Sequence, residues 1–150
     1  MTAKEYLSQV RQLDQRINCK LDQISSLHSL ATKATTTLSD FPRNDTPNPH
    51  SMENIIVKLV DLEADINAEV DKLVDLKREI LEVIQAVHTP EYQALLEMRY
   101  LGFMSWSVIA EIYGYDTRSA YREHRNALRA VESVLRKKEM DTQADACLKK

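Results

Sequence analysis

Four arginines in the last third of the chain follow one another at intervals of three or four residues: Arg118, Arg122, Arg125 and Arg129. This spacing places all four side chains on one face of an α-helix. A guanidinium group can bond the O6 and N7 atoms of guanine together, and it also pairs with phosphate oxygens. The spacing therefore predicts a helix whose exposed face suits a major groove of DNA.

The predicted contact set extends over residues 117–129. Its members are Thr117, Arg118, Ser119, Arg122, Arg125, Asn126 and Arg129. The N-terminal residues of a recognition helix usually meet base edges, so we expect Arg118 and Arg122 to read bases and Arg129 to contact phosphate. The competing interpretation of this set is an ordinary solvated helix surface.

The opposite face of the same helix is apolar apart from one histidine. It carries Ala120, His124, Val131 and either Ala127 or Leu128. His124 has the chemistry of a general base or a metal ligand, but its position among small and aliphatic residues predicts a histidine of the core.

The residues before this helix predict a shorter helix and a tight turn. The apolar residues of the shorter helix are Trp106, Ile109, Ala110 and Tyr113. Gly114 suits the turn because the residue after a helix end often needs a positive φ angle. Asp116, or less well Thr117, can cap the following helix. The pattern predicts a helix-turn-helix in which Trp106 packs in the core rather than on a base.

A third helix is expected to brace this pair. Thr89 and Pro90 predict its start, and Gly102 predicts its end. Its expected buried residues are Tyr92, Leu95, Leu96, Met98 and Tyr100. We expect the recognition helix to continue to Lys138, with its apolar tail packed on the N-terminal helices or a second subunit.

Residues 1–88 carry two apolar stripes. The first, in a helix predicted over residues 3–36, comprises Leu7, Val10, Leu13, Ile17, Leu21, Ile24, Leu27 and Ala31. The second, over residues 51–88 with Ser51 as N-cap, comprises Ile55, Leu59, Leu62, Ile66, Val70, Leu73, Leu76, Ile80, Val83 and Val87. Such alternation is typical of a coiled coil, and the prolines between the stripes allow the chain to reverse. We therefore expect an antiparallel helical hairpin.

The predicted fold class is all-α, because two glycines and four prolines are too few for a protein of many short strands. A long helical hairpin, or coiled coil, is predicted over residues 1–88, with a loop near 37–50. A three-helix helix-turn-helix domain is predicted over residues 89–139. A flexible tail is expected over residues 140–150.

Composition narrows the function classes. Residues 1–88 hold ten Lys/Arg and fourteen Asp/Glu, a net charge of −4, whereas residues 116–138 hold seven and three, a net charge of +4. An acidic body with one basic helix fits DNA contact limited to one surface. No glycine-rich phosphate loop, metal-ligand spacing or nucleophile pattern occurs, so we expect no enzyme, no cofactor and no metal site. No membrane-length apolar run occurs, and we expect a cytoplasmic protein.

Two segments carry a resemblance to known proteins. Residues 96–101 read Leu-Glu-Met-Arg-Tyr-Leu, and residues 114–128 read Gly-Tyr-Asp-Thr-Arg-Ser-Ala-Tyr-Arg-Glu-His-Arg-Asn-Ala-Leu, with Trp106 between them. The chain resembles a family of small phage proteins that includes the RinA and ArpU types of late transcription regulator. Residues 105–114 also resemble region four of bacterial sigma factors. Ala120 departs from the pattern, since a larger aliphatic residue is common there.

The resemblance implies a phage or prophage regulator that binds double-stranded DNA and activates late or packaging genes in a bacterial host. Host RNA polymerase is a candidate second partner. A homodimer is expected, because the heptad stripe of Leu59, Ile66, Leu73 and Ile80 exceeds what one partner helix covers and one helix-turn-helix offers little contact area. The alternative is a protein-interaction module that acts through its coiled coil and does not bind DNA.

Overall fold

The computed structural model describes residues 1–37 and 52–149, and they form five α-helices and one π-helical turn. The helices are α1 (Ala3–Thr37), α2 (Met52–Gln85), α3 (Pro90–Leu96), α4 (Trp106–Tyr113) and α5 (Thr117–Leu148), and the π-helical turn is Glu97–Leu101. The described residues contain no strand, which confirms the predicted all-α class. Among them, no helix has both the length and the apolar character needed to cross a membrane.

The contacts divide the chain into two compact units. One, the helix-turn-helix unit, comprises Met1–Gln12 and Val74–Lys150, and the other, the hairpin unit, comprises Leu13–Leu73. The division differs from the predicted boundary at residue 88, because the start of α1 and the end of α2 bury apolar residues in the helix-turn-helix unit. Thr37, the first residue of the loop predicted near residues 37–50, belongs to α1, and the rest of that loop and the Ser51 N-cap lie outside the described residues.

In the hairpin unit, α1 and α2 run antiparallel. Arg16 and Lys20 of α1 contact Glu69 of α2. Further along α1, Leu27 lines a groove with Lys58, which lies earlier in α2. Later residues of α1 therefore face earlier residues of α2, as the hairpin prediction requires. Among the described residues of this unit, the buried apolar ones are Ile17, Ile55, Leu59 and Ile66.

The predicted stripe of α2 is wrong at one position. Val70 is exposed (38%), and the neighbouring Glu69 is buried in its place (6%). The carboxylate Oε1 atom of Glu69 lies 2.5 Å from Arg16 Nη2 and 3.1 Å from Lys20 Nζ. Its Oε2 atom finds no hydrogen-bond partner among the described residues. The hydrogen bond from Lys20 lowers the pKa of the Glu69 carboxyl, so Glu69 is held as an ion inside the hairpin.

The helix-turn-helix unit has a core drawn from all five helices. Its fully buried aliphatic residues include Leu7 and Val10 of α1, Ile80, Val83, Ile84 and Val87 of α2 and its end, Leu96 of α3, Ile109 of α4, and Val131 of α5. Both α3 and α4 pack against α5. Small Ala120 and Ala127 are fully buried on α5, where they allow the other helices to approach closely.

A π-helical turn joins α3 to the residues before α4. The Gly102 N–H donates to the Glu97 carbonyl, five residues earlier, at 2.8 Å. A Cβ atom on Gly102 would lie only 3.0 Å from the Met98 carbonyl oxygen, which explains a glycine here. Arg99 Nη1 donates to the Met104 carbonyl at 2.9 Å and so ties the turn to the start of the next segment.

The last helix is longer than predicted. It continues past Lys138 and ends at Leu148, and residues 137–148 are exposed. No glycine or proline follows Lys138, and glutamate, methionine and alanine residues in this stretch favour helix. The expected end at Lys138 is therefore wrong, because helix propensity sustains α5 where the apolar pattern no longer does.

Candidate nucleic-acid interface

The turn between α4 and α5 has the geometry that the sequence predicts. Gly114 adopts a left-handed conformation with φ 67°, and the following Tyr115 N–H donates to the Ala110 carbonyl at 2.9 Å. Asp116 Oδ1 accepts a hydrogen bond from the Ser119 backbone N–H at 2.8 Å and caps α5. The hydrogen bonds from Ser119 lower the pKa of the Asp116 carboxyl, so the cap is ionised at neutral pH. These contacts confirm the predicted roles of Gly114 and Asp116.

An aromatic cluster fixes α4 and α5 against the π-helical turn. The Trp106 ring lies edge-on to His124, with centroids 4.5 Å apart, and 5.2 Å from the Tyr121 ring. The Tyr100 hydroxyl lies 2.7 Å from His124 Nε2. Trp106 is half-buried and His124 is buried, as predicted for residues that pack rather than react.

His124 is uncharged at neutral pH. Burial, together with the positive charges of Lys4 and Arg99, lowers its pKa from 6.5 to about 4, and burial is the largest of these causes. Burial also raises the pKa of Tyr100 to about 12, so the phenol keeps its proton and can donate it to the unprotonated Nε2 atom. A neutral imidazole bonded in this way packs as part of the core.

The four arginines of α5 form one exposed stripe, here called the arginine stripe: Arg118, Arg122, Arg125 and Arg129. At about 100° per residue, the four side chains fall within roughly 60° of arc, opposite the buried face of the helix. That buried face carries Ala120, His124, Ala127 and Val131. The stripe is therefore directed away from the core, and its four side chains are exposed to solvent.

The positive charges of the arginine stripe are hardly neutralised by carboxylates of the described residues. Arg122 Nε lies 3.6 Å from Glu123 Oε1, and the Arg122 side chain is 64% exposed. An exposed pair at this distance contributes little stability. Arg118, Arg125 and Arg129 form no ion pair within the described part of the chain. These guanidinium groups are free to pair with an external anion.

The other predicted contact residues lie at the edges of the stripe. Thr117 is exposed at the start of α5, beside the turn. Ser119 and Asn126 are half-buried on the flank, and the Ser119 N–H is already used by the Asp116 cap. The structure thus brings five of the seven predicted residues onto open surface and leaves two partly covered.

Sequence reasoning missed a group of residues beside α5. Lys4, Ser8 and Arg11 of α1 line a recess together with Arg99 and Tyr121. The available signal was the spacing of Lys4, Ser8 and Arg11, which places them on one face of α1. It could not show that this face meets α5, which lies more than a hundred residues later in the chain.

Comparison with known proteins places the chain in a family. The profile of the family described as protein of unknown function (DUF1492) matches residues 47–144. The chain belongs to this family. The DUF1492 match includes the helix-turn-helix and the whole arginine stripe. It names neither the RinA nor the ArpU type, so that finer resemblance stays a prediction. No curated protein and no solved structure gives a significant match to this DUF1492 chain.

Proposed function

We propose that this DUF1492 protein is a sequence-specific DNA-binding transcriptional regulator that places α5 in a major groove. The observation that carries the proposal is the exposed arginine stripe opposite the buried face of α5. A helix with its side chains is about 10–12 Å across, and the major groove is about 12 Å wide, so the two fit. Arg118 and Arg122 lie near the N-terminus of α5, the end that meets base edges in helix-turn-helix proteins.

The distribution of charge supports the same orientation. Residues 1–88 have a net charge of −4 and residues 116–138 a net charge of +4. Phosphates attract the basic part of α5 and repel the acidic residues of α1 and α2. The charges therefore favour contact of the duplex with α5 over contact with α1 and α2.

The resemblance to late transcription regulators of phages supports the biological setting. The proposed role is that of a phage or prophage activator of late or packaging genes, acting in the cytoplasm of a bacterial host. Activation would use host RNA polymerase as a second partner. No catalytic step is part of this proposal.

The proposal is tested by selection from a pool of randomised DNA duplexes. Wild-type protein should enrich one sequence motif over successive rounds. The Arg118→Gln/Arg122→Gln variant should enrich none, whereas Lys137→Gln/Lys138→Gln, which removes two charges from the exposed end of α5, should recover the wild-type motif. Failure of the wild-type protein to enrich any sequence would contradict the proposal.

A second candidate function is protein interaction through the coiled coil. Ile56, Val57 and Val60 of α2 are 50%, 59% and 59% exposed, an unusual fraction for three neighbouring aliphatic residues. A partner that covers them need not touch DNA. Wild-type-like DNA selection by a Val57→Ser/Val60→Ser variant would show that this surface is separate from the DNA-binding function.

The exposed face of α2 also changes the basis of the expected homodimer. Leu59, Ile66 and Ile80, three members of the stripe from which the dimer was predicted, are buried within one chain. Most of that stripe is already covered, and its fourth member, Leu73, is half-buried, so we propose that a dimer uses Ile56, Val57 and Val60 instead. Sedimentation should show a dimer for the wild-type protein and a monomer for Val57→Ser/Val60→Ser. A monomeric wild-type protein would contradict the proposed dimer.

A further inference from the structure

A second cluster of cations lies beside the arginine stripe, within the helix-turn-helix unit. We call it the basic recess and define it by Lys4, Ser8 and Arg11 of α1, Arg99 of the π-helical turn and Tyr121 of α5. Trp106 and the Tyr100–His124 pair also line it. The recess thus combines three cations with the edges of aromatic rings.

The cations of the basic recess are not neutralised by the protein. Within residues 1–37 and 52–149, none of Lys4, Arg11 and Arg99 forms an ion pair with a carboxylate. Like charges held together repel one another, and the positive charges of Lys4 and Arg99 are strong enough to disfavour protonation of His124. A bound anion would relieve this repulsion.

Arg99 is held in a fixed position before any ligand arrives. Its guanidinium carbon lies 4.8 Å from the centroid of the Trp106 ring, and its Nη1 atom donates to the Met104 carbonyl. Arginine has five N–H donors, so others remain for an anion. Because the side chain is already ordered by these two contacts, binding loses less conformational entropy than it would with a free arginine.

The location of the basic recess indicates the source of the anion. Tyr121 lies one residue before Arg122, and on α5 its direction is roughly 40–60° around the axis from Arg118 and Arg125. A helix seated in a major groove has a phosphate backbone along each flank. The recess therefore lies on a flank of α5, where a backbone would pass.

We propose that the basic recess binds a backbone phosphate of the DNA whose major groove holds α5. The proposal rests on the proposed function and extends the interface from α5 to α1 and the π-helical turn. Its contribution is independent of sequence, because phosphates carry no base information. It would fix the angle at which Arg118 and Arg122 enter the groove.

The first test is the salt dependence of affinity for a short duplex of arbitrary sequence, measured by fluorescence anisotropy. Lys4→Gln/Arg11→Gln removes two exposed cations and should lower the slope of log K against log salt by about one, since one neutralised phosphate contributes about 0.9. Lys58→Gln/Lys72→Gln, at two exposed lysines of α2, carries the same change in charge outside both the recess and α5 and should leave the slope unchanged. Circular dichroism of both variants checks that the helices are retained.

The second test identifies the phosphate. Methylphosphonate groups, which are uncharged, replace single phosphates along the motif obtained by selection. One position flanking the contacted bases should weaken wild-type binding several-fold and leave the affinity of Lys4→Gln/Arg11→Gln unchanged. Equal losses in both proteins at every position would overturn the proposal.

The remaining outcomes separate this proposal from the proposed function. If the salt slope of Lys4→Gln/Arg11→Gln is unchanged while binding still depends on Arg118 and Arg122, the recess does not bind a phosphate. The proposed placement of α5 in a major groove would be unaffected by that result. Binding of inorganic phosphate that Lys4→Gln/Arg11→Gln abolishes, without any change in DNA affinity, would make the recess a site for a free anion and also overturn the proposal. Absence of DNA binding by the wild-type protein would overturn both.

Discussion

Protonation of His124 should weaken the helix-turn-helix unit in mild acid. In the folded state the pKa of His124 is about 4, against 6.5 for an exposed histidine. Between pH 6.5 and about pH 4, His124 is protonated in the unfolded chain but not in the folded chain. The free energy of unfolding therefore falls as the pH falls. The stability is complete above pH 6.5 and is lost progressively towards pH 4.

The size of this loss follows from the same pKa values. A fall from 6.5 to about 4 corresponds to about 3 kcal/mol at most. Lys4, whose charge contributes to the shift, is exposed, and solvent screens such charges. We therefore expect a loss of about 2 kcal/mol between neutral pH and pH 4, a large fraction of the stability of an ordinary domain.

Trp106 provides the assay, because it is the one tryptophan of the chain and its ring touches His124. Urea unfolding followed by its fluorescence gives the midpoint at a series of pH values. His124→Gln removes the titrating group while leaving an acceptor for the Tyr100 hydroxyl, so its midpoint should depend less on pH over this range. His88→Gln, at an exposed histidine, should keep the wild-type dependence.

The reasoning would be refuted by identical pH dependence in the wild type and His124→Gln. It would also be refuted by an NMR titration in which the ring signal absent from His124→Gln gives a pKa near 6.5 in the wild type. Either result would mean that His124 is solvated and that Tyr100, Trp106 and His124 do not form the packed cluster described above.

Three further substitutions test other parts of the fold. Trp106→Ala should lower the free energy of unfolding by about 3 kcal/mol, because the ring is half-buried. Urea unfolding followed by circular dichroism measures this loss. Stability equal to that of the wild type would mean that Trp106 is a surface contact instead. Gly114→Ala should lower the free energy of unfolding by about 1–2 kcal/mol in the same assay. The left-handed backbone alone causes this loss, since a Cβ atom there meets nothing within 4 Å. No loss of stability would contradict the φ angle of 67°. Glu69→Ala should lower the melting temperature more than Glu63→Ala, a matched substitution at an exposed glutamate of α2, because Arg16 and Lys20 lose the carboxylate that they share. Equal effects of the two substitutions would contradict the burial of Glu69.

The local features of the helix-turn-helix could be predicted from sequence because each depends on neighbouring residues. Gly114 predicts a positive φ angle, Asp116 predicts a helix cap, and Pro90 predicts the first turn of a helix. None of these predictions requires knowledge of the remaining fold. The buried position of His124 followed from its place on the apolar face of one helix. Such inferences require only the period of the α-helix and the chemistry of its ends.

Two features that depend on contacts between distant segments were not predicted. Hydrophobicity favoured Val70 over Glu69 for the inner face of α2, and only the positions of Arg16 and Lys20 on α1 make the buried carboxylate tolerable. The basic recess was missed for the same reason, since Lys4 and Arg99 meet only in the folded chain. The seven predicted contact residues came from a helical projection alone, which separates exposed from buried faces but does not find neighbours on other helices.

The central claim is that Arg118 and Arg122 read bases, and its most direct test is the ratio of affinities for the selected motif and for a scrambled duplex. Arg118→Ala or Arg122→Ala should each weaken binding to the motif by about 1–3 kcal/mol and lower this ratio. Arg129→Ala should weaken both duplexes alike and reduce the salt slope, as expected for a phosphate contact. An unchanged ratio in the Arg118→Ala/Arg122→Ala variant, with its helices intact, would contradict the placement of α5 in a major groove.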